Sequence, residues 1–331
     1  GCRVGAVDVR DAVRNDVATM RYIAGERDHR GMVKSGTEEV EEFSPLHATG
    51  QSLLDRAYQL IRSGHFATVL DILPETTSSD IQFWPEDIRE VALHARGIAE
   101  FYTAWDRLDY TAATKVSRQF DNMKFPRWAA RWSQVVPGNN FVSWVEELAK
   151  PCSLPTNEPS CKNMVPHLRR LVADLLANGE RRIRQRQYED AILRAYRVLE
   201  MLGQIRLFSN GLDSGNLSPV HPAVVTLAQK LEKRGSTRFG VKRDGNYTAG
   251  REQVARLLLV LEDPMGKQFL DFDKADALIL KAEARNKSIL IHGYEAIKVE
   301  DVKMLQALYA RLESLLITEG GEFARKGLNT S

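Results

Sequence analysis

The stretch Arg285-Asn286-Lys287-Ser288-Ile289-Leu290-Ile291-His292 interrupts an apolar helical stripe with an arginine and a histidine. Upstream, Ala275, Leu278, Ile279 and Ala282 recur at three- and four-residue steps, the spacing of a buried helical face. The same rhythm continued reaches Arg285, Ile289 and His292. At about 3.6 residues per turn, their spacing is close to two turns, so on a continuous helix both project from nearly the same side. That side is the one the stripe assigns to a core or a partner. Asn286 points about 100° away yet stays close to the pair.

This periodicity organises most of the chain and predicts a mainly α protein. Leu53, Leu54, Ala57, Leu60 and Ile61 predict one helix, Gly64-His65 a break, and Phe66, Val69, Leu70 and Leu73 a second helix. Pro85 opens a third through Ile88, Val91, Ala92, Ala95, Ile98, Ala99 and Tyr102. All five tryptophans, Trp84, Trp105, Trp128, Trp132 and Trp144, fall in this middle segment, and their helical spacing favours core packing over a stacking platform for bases. His65 and His94 lack partners at metal-ligand spacing and read as structural.

Four prolines and two cysteines between Lys150 and Pro166 predict a loop or boundary. Beyond it, Leu168, Leu171, Val172 and Leu175 predict a helix ending in the cationic run Arg181-Arg182-Ile183-Arg184-Gln185-Arg186. A long helix follows from Tyr188 to Ile205, with Arg194, Arg197 and Arg206 off its apolar side. Gln187-Tyr188-Glu189-Asp190-Ala191 loosely echoes Gly64-His65-Phe66-Ala67-Thr68, each reading as a turn between helices. Residues 209–221 and the basic stretch 234–250, with Lys242 and Arg243, read as loops, the second a candidate substrate contact. A helix through Val254, Leu257, Leu258 and Leu261 ends near Asp263-Pro264, and Val302 to Ile317 forms the last helix.

The first residues differ. Val4 to Val9 and Thr19 to Ile23 are β-type segments, and the second runs into the polar tip Gly25 to Gly31. A pair of strands alone is not a stable domain, so residues 1–47 read as a partial α/β segment whose opening strands are absent from this sequence or supplied by a partner. The expected organisation is 1–47 partial α/β segment, 48–150 helical middle region and 151–331 helical domain.

At 331 residues and 43% hydrophobic, the chain can bury a substantial core. Its net charge of +2 conceals an asymmetry. Residues 1–150 carry 18 Lys and Arg against 22 Asp and Glu, and residues 151–331 carry 28 against 22, which makes the second half the better partner for polyanions. Cys2, Cys152 and Cys161 are too few for a disulfide framework or zinc site; reduced thiols in a cytoplasmic protein are expected, with a Cys152–Cys161 bridge the alternative. No apolar run approaches a membrane span, and no signal peptide opens the sequence.

Walker loops, dinucleotide fingerprints, Gly-x-Ser-x-Gly elbows and zinc signatures are all missing from the sequence. Arg285 and His292 remain; by spacing alone they read either as an ordinary arginine and histidine of a surface helix or as a pair suited to metal-free RNA cleavage. Histidine moves a proton near neutral pH, while arginine stabilises the charge developing on phosphorus; Asn286 can orient either.

Ala284 to Gly293 resembles the signature of HEPN ribonucleases: an arginine, a polar residue and, after a short gap, a histidine. Tyr188 to Glu200 resembles the long helix upstream of that motif in one CRISPR-associated branch. Tyr22 to Arg27, with Ser35 to Glu39, is similar to the final strands of a CARF domain, the Rossmann-like sensor that branch carries. The chain is thus identified as resembling the CARF–HEPN ancillary ribonucleases of type III CRISPR systems, with its CARF part truncated. The resemblance implies a C-terminal HEPN-like helical domain, a helical middle region and a CARF remnant. It further implies a homodimer whose composite site cuts single-stranded RNA without metal or cofactor. Arg285, Asn286 and His292 would be catalytic, and a cyclic oligoadenylate would be the allosteric activator, for which Glu26, Arg27 and Thr37 are candidate contacts. The alternative reading is a non-catalytic helical dimeric binding or scaffold protein.

Overall fold

The computed structural model describes residues 19–24, 39–43, 45–74, 84–152, 155–233, 239–275 and 301–320. The expected strand at Val4 to Val9, the polar tip after Ala24 and the loop Glu75 to Asp80 lie outside them. The described residues are mainly helical and divide into two compact units, one ending at Val142 and the other starting at Ser143. The sequence-expected boundary at residues 150–151 is a separate proposal about domains.

The first unit opens with β1 (Thr19–Ala24) antiparallel to β2 (Glu39–Phe43), Thr19 opposite Phe43 and Tyr22 opposite Val40. Then come α1 (Pro45–Arg62), α2 (Phe66–Ile72), α3 (Glu86–Asp106) and α4 (Tyr110–Ser117). α3 packs against α1, α2 and α4, because its stripe of Ile88, Val91, Ala92, Ala95, Ile98 and Ala99 is fully inside. Leu54, Ala57 and Ile61 of α1 and Val69 of α2 complete this core. Trp105 and Trp132 are buried, whereas Trp84 and Trp128 are half-buried. Rings of Phe66 and Tyr102 stack at 4.9 Å, and Trp105 meets Phe141 edge-on at the same separation. Asp87 accepts hydrogen bonds from Trp128 Nε1 (3.0 Å) and pairs with His47 (3.1 Å), tying the start of α3 to α1.

The second unit takes most of α5 (Asn139–Ala149), then α6 (Glu158–Arg184), α7 (Tyr188–Ser209) and α8 (Pro222–Lys233). A small hairpin follows, β3 (Gly240–Val241) antiparallel to β4 (Tyr247–Thr248), and then α9 (Arg251–Val260), α10 (Met265–Ala275) and α11 (Asp301–Thr318). α6 starts well inside the expected proline-rich loop. Asn157 caps it: its side chain accepts from Ser160 N (3.0 Å), while Ser160 Oγ accepts from Asn157 N (3.0 Å). Pro159 sits in the first turn, where no donor is required, and only Pro166 costs the helix an internal bond. Cys161 is therefore a buried helical residue, Cys152 is exposed, and both are free.

Five helices end in the same way. Gly64, Leu108, Arg186, Gly211 and Glu262 take positive φ of 83°, 64°, 60°, 76° and 58°. The next residue's N–H then donates five residues back, His65 to Leu60 O, Asp109 to Ala104 O, Gln187 to Arg182 O, Leu212 to Leu207 O and Asp263 to Leu258 O, all at 2.8–2.9 Å. This Schellman closure satisfies orphan carbonyls and reverses the chain in three residues. The echo between Gly64-His65-Phe66 and Arg186-Gln187-Tyr188 is this connector, and Leu108-Asp109-Tyr110 is a further example.

Candidate active site

Arg285, Asn286 and His292 lie outside the described residues, as do Glu26, Arg27 and Thr37. What the structure gives is the frame from which the motif-bearing segment departs at Ala275 and to which it returns at Asp301. α10 begins directly after the expected break at Asp263-Pro264, and its Met265, Phe269 and Phe272 all face inward. α11 buries Leu305, Leu308, Tyr309, Leu312, Leu315 and Leu316 against α6 and α7. Each such side chain contributes roughly 2 kcal/mol of transfer free energy. Arg311 of α11 lies over the Phe272 ring at 3.9 Å, so the two flanks of the motif segment touch.

α11 is also registered by one buried hydroxyl. Tyr309 Oη donates to Ala191 O (2.7 Å) on α7 and crosses α6 at Gly179, where a β-carbon would collide with its phenol. Burial raises the Tyr309 pKa well above its ordinary value, so it stays a neutral donor. Around it lies a polar layer that the sequence reading missed. Asp174 and Asn178 of α6 are completely buried, Arg181 nearly so, and Asn178 Oδ1 accepts from Arg194 Nε of α7. Arg194 also donates to Asp190 O (3.1 Å). The available signal was the interruption of the stripe Val172, Leu175, Leu176 by Asp174 and Asn178, one turn apart. Two of the four cations of the expected run are likewise not surface charges, since Arg181 is buried and Arg182 donates to Gln185 (2.9 Å) and Gln187 (3.0 Å).

At the other end of the frame, Arg206 of α7 fastens both flanks. Its Nη2 donates to Asp263 Oδ2 (2.6 Å), just ahead of α10, and its Nη1 to Glu319 Oε1 (2.7 Å), just past α11. Asp263 also caps α10 through Met265 N (2.9 Å). Both carboxylates are buried, and Arg169 of α6 approaches Glu319 at 3.7 Å. Burial opposes the charge on Arg206, but Asp263 and Glu319 outweigh it and raise its pKa.

Among the described residues no group of histidines, cysteines and carboxylates could hold a metal ion, and no helix is long and apolar enough to cross a membrane.

Residues 162–316 match the protein family described as the Csm6 HEPN domain. The matched span runs from the first turns of α6 to the last turn of α11 and includes Arg285, Asn286 and His292. No curated protein matches the chain.

Proposed function

The chain belongs, through residues 162–316, to the CRISPR-associated CARF–HEPN ribonuclease family, and we propose that it cuts single-stranded RNA without a metal ion. The observation that carries this reading is the inclusion of Arg285, Asn286 and His292 in the matched span. In the proposed reaction the 2′-oxygen attacks phosphorus as its proton is removed, and the bond to the 5′-oxygen breaks as that oxygen gains a proton. The products are a 2′,3′-cyclic phosphate and a 5′-hydroxyl. Arg285 holds the non-bridging oxygens as charge builds on them, His292 moves the proton, and Asn286 orients the two.

The proposed enzyme is a homodimer in which two copies of the motif form one site, and it acts in the cytoplasm. Cyclic oligoadenylate is the proposed activator, with Glu26, Arg27 and Thr37 as its contacts in the CARF-like segment. The domain reading of 1–47, 48–150 and 151–331 belongs to the same proposal.

Cleavage of a fluorogenic RNA in the presence of a chelator tests it, with and without cyclic oligoadenylates. Arg285→Ala and His292→Ala each lower turnover by at least about 100-fold while dimer mass and helicity stay as in the parent. Unchanged cleavage in both variants would overturn the assignment. Absence of turnover at any protein concentration, with loss of thermal stability on changing His292, would instead identify a scaffold.

A further inference from the structure

The β3–β4 hairpin is small for the amount of structure that holds it. Tyr247 exchanges both backbone hydrogen bonds with Leu217 (2.8 and 2.9 Å), Ala249 N donates to Ser214 O (2.8 Å), and the Phe239 and Tyr247 rings stack at 5.5 Å, 6° from parallel. Its base is thus fixed to the loop after α7, and its tip projects: Val241 is 73% exposed, and Lys242, Arg243, Asp244 and Gly245 are exposed as well.

The hydrogen bonds at the tip sort its donors from its acceptors. Asp244 is exposed, and its carboxylate accepts from Asn246 N (3.0 Å) and Asn246 Nδ2 (3.4 Å). Asn216 Oδ1 accepts from Lys242 Nζ (3.1 Å) and Asn246 Nδ2 (3.1 Å), which fixes the Asn216 amide with its NH2 directed away from both. Arg243 has no acidic partner among the described residues. The tip therefore offers three donors, Asn216 Nδ2, Lys242 Nζ and the Arg243 guanidinium, two of them charged, beside the one Asp244 carboxylate that is engaged with Asn246. A phosphate diester backbone, which presents only acceptors and negative charge, complements such a surface.

We propose that Asn216, Lys242 and Arg243 bind the phosphates of the RNA strand, as a hold on the substrate additional to the residues of the cleavage motif. This rests on the ribonuclease reading above for the identity of the strand. Nucleic acid is favoured over an acidic protein segment because the tip pairs its cations with a neutral amide donor and presents no apolar groove for side chains.

The test uses the full chain and a labelled, non-cleavable 2′-O-methyl oligoribonucleotide. Lys242→Gln with Arg243→Gln weakens binding roughly tenfold at low salt and reduces the slope of log affinity against log salt by about 1.4, two contacts at about 0.7 each. Cleavage of a long RNA by the double variant shows a raised KM at unchanged kcat. Arg243→Glu, at a side chain that makes no packing contact, gives a larger loss with the same melting temperature. Equal affinity and slope in parent and variants overturn the proposal, as does a polyglutamate peptide that binds the same residues as tightly as the oligonucleotide. Hairpin-dependent binding without any cleavage would sink the ribonuclease reading and leave this one standing. Cleavage with hairpin-independent binding would do the reverse.

Discussion

His94 is a base held where a proton is unwelcome. Its ring is half-buried on α3, packs edge-on against Phe125 at 5.5 Å, and has Glu90 at 3.8 Å, too far for a hydrogen bond. Burial lowers its pKa below 6.5, and Glu90 only partly offsets this. His167 in the second unit is lowered too, by burial first and by Arg170 second. A base with a depressed folded pKa is protonated more readily in the unfolded chain, so acid favours unfolding. Both units are therefore expected to lose stability as pH falls from 7 toward 5, through the unfolded value of 6.5. Urea melts across that range check it: His94→Phe keeps the ring contact and flattens the dependence of the first unit, and an undiminished slope would contradict the account.

Elements are punctuated here by connectors more than by composition. Arg186 is an exposed L-residue in a left-handed conformation, a strain of roughly 1–2 kcal/mol that glycine does not feel. Glycine costs the unfolded chain more entropy, so Arg186→Gly should stabilise by about 0.5–1 kcal/mol net, read as a higher urea midpoint at unchanged slope. A lower midpoint would mean that the Arg186 side chain contributes contacts of its own. The connectors also explain what the sequence revealed at this scale. Apolar spacing was enough for the buried stripes of α1, α3 and α7, and it bounded α11, whose expected end Ile317 is nevertheless exposed. Gly64 and the Arg186 turn betrayed two reversals, but the third was hidden because a leucine occupies the left-handed position that usually announces itself as glycine. The start of α6 was hidden for the opposite reason: Pro159 and Pro166 signal a break by type, and only the Asn157–Ser160 cap shows that the first is in a permitted place.

At the scale of the second unit, long-range pairing decides stability. Arg206 meets Asp263 and Glu319 across sequence separations of 57 and 113 residues, and no periodicity could have coupled them. Arg206→Met leaves the buried Asp263 without a cation and Glu319 with only the more distant Arg169, and should cost about 3–5 kcal/mol. Adding Asp263→Asn and Glu319→Gln to it should restore a large part of that loss in thermal melts. A triple variant no better than the single one would show that packing of the Arg206 stem, not its charge, was the contribution. The proposed site is a reading of the sequence for the opposite reason to the clasp. Arg285, Asn286 and His292 are close in sequence and break a local rhythm, whereas the buried layer of Asp174, Asn178 and Arg194 acquires meaning only once α6 and α7 lie together.

The Arg206 clasp gives the chain an unusual topology of force. Asp263 and Glu319 bracket α10, the motif-bearing segment and α11, and both end on one guanidinium. A chain severed anywhere between Ala275 and Asp301 would thus not shed its C-terminal piece, since α11 stays seated on α6 and α7 by six buried side chains and its terminus stays moored to Arg206. The two fragments should travel as one particle on a sizing column and separate only in denaturant, as two complementing halves held by the clasp would.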